Sequence, residues 1–553
     1  MTERERTRAV RRERPLTWEE VRERNPVERI KHEKLPYDLI HEIPRLAETP
    51  YEEIDEDDIL RLQWWGLYHD KPKTGHFMMR IKIPGGILTA QQLATIGRLS
   101  QKFGQNRGEL TTRQCVQLHW IELPSLPEIF RTLKEAGLTT AGACGDILRN
   151  ITSCPVAGVS REELFDVRPV VQELADFFYD NRAYSDLPRK HKWTISACPY
   201  HCNVPEIHDV GLVGTIQDGQ EGFAIMVGGG LSTAPRIARP LGVFVHLGEV
   251  REVLQGLLDI WSGDLNYRRA RGKARFKFMV DDYGPDGVRR RLEEHLGRSL
   301  TPLREVPVPI GRTDHMGVHP QKQEGLHYIG FPVFPGLMSG EAMCAVAEVV
   351  AEYAHDFRIT REQNFILTGI ATGRVDAVIR RMEALGFSLD VNPIRGHSIG
   401  CTGNPYCNFA VGDTKPRLVQ LVQHLERRFG QAVADLRLHL DGCPHACGQH
   451  FIGDIGFQGT TKRGEDGKIQ AYDIFLRGGV GQNAAIGRPV LRRVSTDDLD
   501  LYVERLVDAY LKNRREGESL QAFCAAREDD ELIAIMEGAA SGAATERTER
   551  SAG

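Results

Sequence analysis

Four cysteines in the last third of the chain stand in two pairs whose setting suits metal chemistry. Cys401 and Cys407 lie in GCTGNPYC, a C-x5-C pair. Cys443 and Cys447 lie in GCPHAC, a C-x3-C pair beginning 36 positions after Cys407. An iron–sulfur cube needs four thiolates converging on it, and neighbouring glycines and prolines let irregular backbone come close. Tetrahedral zinc sites more often draw on C-x2-C turns, and thiol–disulfide chemistry on C-x-x-C; neither spacing occurs here. One four-iron cluster is the favoured reading, with zinc or unligated thiols as alternatives. Of the 11 cysteines, Cys198 and Cys202 form another C-x3-C pair, with Cys144 and Cys154 upstream. Cys115, Cys344 and Cys524 sit in apolar surroundings and read as core thiols.

Such turns need a scaffold. At 553 residues the chain is long enough for two to four domains, and 41% hydrophobic with 27% charged residues is ordinary for a globular protein. The net charge of −5, from 71 basic and 76 acidic residues, argues against nucleic-acid binding by bulk electrostatics. No run approaches the roughly 18 apolar residues of a membrane span. The opening MTERERTRAVRRERP lacks an apolar segment after its arginines, so no secretory signal and a cytoplasmic location are expected, where structural disulfides are rare. Residues 1–35 read as a solvated or partly ordered arm, and the small, polar tail from Gly538 as disordered. Between them FMMRIKI (77–83) and CVQLHWI (115–121) read as strands, and 90–103 and 126–137 as amphipathic helices. The fold class is α/β (α+β).

The chain also repeats itself. CPYHCNVPEIHDVGLVGT (198–215) matches CPHACGQHFIGDIGFQGT (443–460) with eight identities in 18 positions. TTRQCVQLHWI (111–121) has a counterpart in ITREQNFILTGI (359–370), and PGGILTAQQLATIG (84–97) in PGLMSGEAMCAVAE (335–348). Three blocks in the same order indicate two copies of one unit, related by a pseudo-twofold.

The run C-x5-C followed by GCP-x-x-C resembles the signature of the sirohaem-dependent sulfite and nitrite reductases, of ferredoxin-dependent assimilatory type. The resemblance extends from about residue 24 to about 535. It implies that Cys401, Cys407, Cys443 and Cys447 ligate one 4Fe–4S cluster, with Cys447 also axial to the sirohaem iron, so that the two centres share a thiolate. His445 departs from the asparagine the family often has there. The implied pocket must gather positive charge for an anionic substrate and cofactor. Arg80 in FMMRIKIPGG, Arg149 in GDILRN, and Lys190 and Lys192 in LPRKHKW match family contexts in which they bind substrate oxygens and supply protons. Thr111, Arg113 and Gln117 in TTRQCVQ, with Arg189, match contacts to sirohaem carboxylates, and Gly228 and Gly229 in VGGGLST match a glycine turn lining the macrocycle. Taken singly, each charge could be a solvated surface group and the glycine run a plain strand-end turn. A lysine some relatives place on the macrocycle is replaced near His319–Gln321. Matching the S-C-P and G-N-P turns sets Cys154 opposite Asn404, so Cys144, Cys154, Cys198 and Cys202 read as structural remnants.

The family's fold is three-lobed, with paired ferredoxin-like half-domains. The expected division is 1–60 N-terminal extension, 61–140 first ferredoxin-like half, 141–310 first sirohaem- and substrate-binding domain, 311–390 second half, 391–537 cluster-bearing domain and 538–553 tail. The implied reaction is six-electron reduction of sulfite to sulfide, with nitrite to ammonia as the alternative and a non-catalytic electron-transfer subunit as a third reading. Lys192 tilts the choice toward sulfite, because plant-type nitrite enzymes tend to have asparagine there and the sulfite dianion gains from another cation. No G-x-G-x-x-G fingerprint accompanies the chain, so electrons must come from a ferredoxin or a flavoprotein, docking on a basic surface. The arginine-rich arm is a candidate surface, and a monomer is expected.

Overall fold

The structure is a computed structural model describing residues 15–311, 313–465 and 467–538. Among the described residues it contains four five-stranded sheets. They come in two matched kinds, as the internal repeat requires.

The first kind is wholly antiparallel. Strands Leu67–His69, His76–Ile81, Val116–Glu122 and Gly108–Leu110 lie side by side in that order. Its fifth strand, Leu337–Met338, comes from the other copy and pairs with Gly108–Leu110. The second copy mirrors this with Gly317–Pro320, Leu326–Phe331, Phe365–Ala371 and Asp356–Ile359, completed by Ile87–Leu88 of the first. Each half-sheet therefore borrows its edge from the other.

The helices of this lobe follow from sequence. Thr89 caps Ala90–Phe103 through a capping box with Gln92, and Ser339 caps Gly340–Tyr353. The two helices cross where Gly97 and Gly340 face each other. A Cβ on Gly97 would stand 2.6 Å from the Gly340 carbonyl oxygen, and one on Gly340 2.4 Å from that of Gly97. Glycine is required for this closeness. One apolar core, including Ile96, Leu118, Val346 and Leu367, runs through both halves and makes them one lobe.

The other two lobes are mixed sheets with separate cores. In one, Thr152–Ser153, Trp193–Ser196 and Val210–Gln217 are parallel, and Gln220–Val227 and Arg239–His246 follow antiparallel. In the other, Ile399–Gly400, Leu438–Asp441 and Ile455–Gly464 are parallel, and Gly467–Leu476 and Arg488–Ser495 follow antiparallel. Helices such as Arg168–Phe178 and Val250–Ser262, or Lys415–Phe429 and Thr496–Asn513, bury their apolar faces against these sheets.

One reading of the chain ends changes. Residues 1–14 and 539–553 lie outside the described residues, which takes in most of the arginine-rich arm and the tail. Within residues 15–35, however, the chain is folded as helices Trp18–Arg24 and Pro26–Glu33, not as a solvated arm. Val21 and Ile30 are buried. Lys31, also buried, bonds Glu28 at 2.6 Å and Asp186 at 2.6 Å, and Arg268 closes the network on Glu28 at 3.0 Å. Composition alone could not distinguish these paired charges from solvated ones. Among the described residues no helix is long and apolar enough to cross a membrane.

Candidate active site

Ligand sites in open α/β sheets form where parallel strands end, and both thiol pairs begin there. Cys401 directly follows strand Ile399–Gly400, and Cys443 lies just past the adjacent strand Leu438–Asp441. The turns are held by backbone and side-chain bonds. Cys401 N–H donates to Leu440 O at 3.1 Å, and Cys407 N–H to Gly403 O at 3.0 Å. Asp441 accepts from Gly448 N at 2.6 Å, His450 N at 3.1 Å and His450 Nδ1 at 2.9 Å, which pins the turn carrying Cys447. Gly442 N–H already points at Cys401 Sγ, 3.3 Å away. Burial, followed by Asp441 and Cys447, holds the Cys401 thiol well above its ordinary value, and burial raises Cys443 to about 12. Iron would reverse both shifts, because ligation needs the thiolate.

Cys447 is the exposed member of the four. The predicted cations gather around it. Arg80, Lys190 and Lys192 lie within electrostatic reach of Cys447, and Arg149 within reach of Lys190. Among the described residues neither lysine ammonium has a hydrogen-bond or ion-pair partner. Burial, with Arg149, Arg189 and Arg275 behind it, lowers Lys190 to about 7; burial with Lys190 and Arg275 takes Lys192 well below its ordinary value. Cations crowded in this way, with both lysine ammonium groups unpaired, suit an anion.

The remaining predicted residues are placed as follows. Arg80 donates from Nε to Gln117 Oε1 at 3.2 Å and from Nη1 to Cys144 Sγ at 3.3 Å. Gln117 in turn donates to Thr402 Oγ1 at 3.2 Å, joining the substrate-side arginine to the loop of Cys401. Thr111 spends its hydroxyl on its own turn, accepting from Cys115 N at 3.0 Å and Arg113 N at 3.3 Å. Arg113 donates to Trp193 O at 3.2 Å and to Asn150 O, while its buried Nε has no partner. Arg149 bonds the carbonyls of Ala143 and Gly145 at 2.7–3.2 Å. Arg189 donates from Nη1 to Asp146 Oδ1 at 2.8 Å. Gly228 has φ +83°, and a Cβ on Gly229 would sit 2.5 Å from Glu206 O, so only glycine allows this turn. His445 packs edge-on against Phe409 and lies 3.6 Å by Nδ1 from Cys443 Sγ.

Three residues were missed by sequence reasoning. Thr112 donates to Cys447 O at 3.1 Å, bridging the first copy to the cluster turn. Asp209 accepts from Lys192 N at 2.9 Å and from Arg275, so the pair sets the lysine's position. The repeat offered a signal for Asp209, whose equivalent Asp454 accepts from Arg437 N at 3.0 Å in the second copy. One sequence alignment is also corrected. Strand register sets Thr152 beside Thr194 and Ser153 beside Ile195, as Ile399 is beside His439 and Gly400 beside Leu440. Cys154 is thus the counterpart of Cys401, not of Asn404; loops of unequal length misled the turn match.

The donor set fits the implied cofactors on its own chemistry: four cysteines for iron, an exposed thiol position, unpaired cations and an unpartnered buried Arg113 Nε for carboxylates. Fold and site together define a duplicated α/β redox enzyme with a thiolate-ligated cluster facing a cationic anion cleft. Comparison with known proteins gives the same class. The family described as "Nitrite and sulphite reductase 4Fe-4S domain" matches residues 144–300 and 396–526, and "Nitrite/Sulfite reductase ferredoxin-like half domain" matches 69–136 and 319–385. The chain belongs to this sirohaem- and 4Fe–4S-dependent sulfite and nitrite reductase family, and is an oxidoreductase of that class. It is 33% identical to "Sulfite reductase [ferredoxin] 1" of Mycolicibacterium paratuberculosis over 92% of this chain and 96% of that one. It is 32% identical to "Assimilatory ferredoxin-dependent nitrite reductase" of Haloferax mediterranei over 90% of each. The solved structure of Mycobacterium tuberculosis NirA protein superposes with a TM-score of 0.88 at 32% identity, covering 95% of this chain and 99% of that one.

Proposed function

We propose that the enzyme reduces sulfite to sulfide with electrons from a ferredoxin. The observation that carries this reading is the pair Lys190 and Lys192, two unpartnered ammonium groups within electrostatic reach of the exposed Cys447. A dianion gains more than a monoanion from two adjacent cations in a site of low polarisability. Arg80 and Arg149 orient the substrate oxygens, and the lysines hand protons to each oxygen as it leaves. Thr111, Arg113, Gln117 and Arg189, with the turn of Gly228 and Gly229, would hold the tetrapyrrole. Cys401, Cys407, Cys443 and Cys447 would hold the cluster, with Cys447 the thiol nearest the anion-binding cations. When bound, sirohaem and cluster supply the electrons one at a time; the chain supplies binding, orientation and protons.

Nitrite reduction to ammonia is the second reading, since relatives named for either anion are similar to this chain over nine-tenths of its length. Electron entry is proposed over the loop of Cys407, where Lys71 meets Tyr406 and Asn404 and where Lys73 and Phe409, the latter 63% exposed, face outward. This surface suits an acidic donor with an apolar centre. The test is steady-state turnover of holoenzyme on both anions with a chemical reductant. Sulfite should show the higher kcat/KM, and Lys192→Asn should lower the sulfite-to-nitrite ratio about tenfold. An unchanged ratio would remove the assignment to sulfite.

A further inference from the structure

The first copy keeps three counterparts of the four cluster cysteines. Cys154 follows strand Thr152–Ser153, and Cys198 and Cys202 stand in the turn after Trp193–Ser196. No cysteine of the first copy replaces Cys407. In the second copy the four thiols influence one another only through space. In the first copy Cys154, Cys198 and Cys202 likewise each feel the other two. Three thiols without a fourth cysteine fall short of the four-thiolate set of a cube, whereas a single ion can complete its shell with a different donor.

The fourth corner is filled from elsewhere. His315, from the segment joining the two copies, places Nε2 3.2 Å from Cys202 Sγ. Tetrahedral zinc with Zn–S of ~2.3 Å and Zn–N of ~2.0 Å sets such a sulfur and nitrogen about 3.5 Å apart. His315 Nδ1 meets Tyr328 Oη at 3.4 Å, the kind of outer bond that fixes which ring nitrogen faces a metal. The imidazole is buried, and its backbone is held at φ +59°, which is strained for any residue but glycine. Gly330 permits this placement, because a Cβ there would lie 2.0 Å from His315 O. Among the described residues no three such side chains are already closed to ligating distance, here or at the cluster cysteines, so closure asks for rotation about Cα–Cβ bonds, which carries each sulfur inward.

We propose that Cys154, Cys198, Cys202 and His315 form a tetrahedral site for one zinc ion, which fastens the first α/β lobe to the segment leading into the second copy. Three thiolates with one imidazole are a closed structural zinc set. The site uses none of the residues proposed to bind the anion and does not depend on which anion is reduced.

The test is elemental analysis of holoenzyme as isolated. The expected result is one zinc per chain, in addition to the iron of one sirohaem and one cluster. Cys202→Ser and His315→Gln should each lower zinc at least tenfold while the tetrapyrrole and cluster absorption persists. In wild-type protein, cobalt substitution should give intense thiolate-to-cobalt bands and tetrahedral d–d bands. Full iron with zinc below a tenth of an equivalent and no cobalt bands would overturn the proposal. So would four extra irons per chain, which would mean a second cube.

Discussion

Asp146 shows how a single carboxylate organises cations beside the anion cleft. It is buried and bonds Arg189 at 2.8 Å and Arg271 at 2.5 Å. Burial alone would raise it, yet Arg271, Arg189 and Lys31 outweigh burial and hold it at about 2 against an ordinary 3.8. Its folded-state value lies below the unfolded one, so its contribution is complete above 3.8 and is lost as pH falls toward 2. The shift corresponds to about 2 kcal/mol. Urea melts of wild type and Asp146→Asn should therefore differ most at neutral pH and converge as pH falls through that window; a constant difference would contradict the pairing. Such partnerships explain what was legible at this scale. Spacing and resemblance singled out the two cysteine pairs and the lysines, which the fold brings near one another. The pairing of Arg189 with Asp146 could not, because the partners are 43 positions apart and nothing local marks them.

At the scale of elements, two turns exchange side chains across the pseudo-twofold. Gln114 Nε2 donates to Ile359 O at 2.9 Å, and Gln363 Nε2 donates to Leu110 O at 3.0 Å. Both glutamines have positive φ, and each turn is closed by its threonine, Thr111 on Cys115 N and Thr360 on Asn364 N. This aligns Arg361 with Thr112, so the second turn lacks an arginine in the register of Arg113. The strands and helices of this lobe were legible from their periodicity. The exchanged edge strands were not, because two-residue segments carry no pattern to read. The crossing at Gly97 and Gly340 is the element most exposed to change. Gly97→Val sets a branched side chain against backbone and should destabilise the lobe by about 3 kcal/mol through overpacking. Denaturant titration checks this, and a variant as stable as wild type would mean that the helices can separate.

At the scale of the molecule, the repeat foretold the matched lobes, and the 245-residue offset between CPYHC and CPHAC placed their thiol turns correctly. The helical packing of residues 18–33 escaped, since a segment this charged is buried only through partners as distant as Asp186 and Arg268. The shared core of the central lobe makes a further demand. Fragments 1–300 and 301–553 expressed alone should each remain unfolded or aggregated by circular dichroism and gel filtration, and should recover structure when produced together. A soluble, cooperatively melting single fragment would show that the halves are independent.

The borrowed edges also bear on descent. A solitary ancestor of one copy would have left the slot now taken by Leu337–Met338 open, and its own Ile87–Leu88 segment without a sheet to join. Reciprocal lending is satisfied only by a pair, so one copy alone cannot complete its sheet, and joining two in one chain guarantees each the edge it lacks in every molecule.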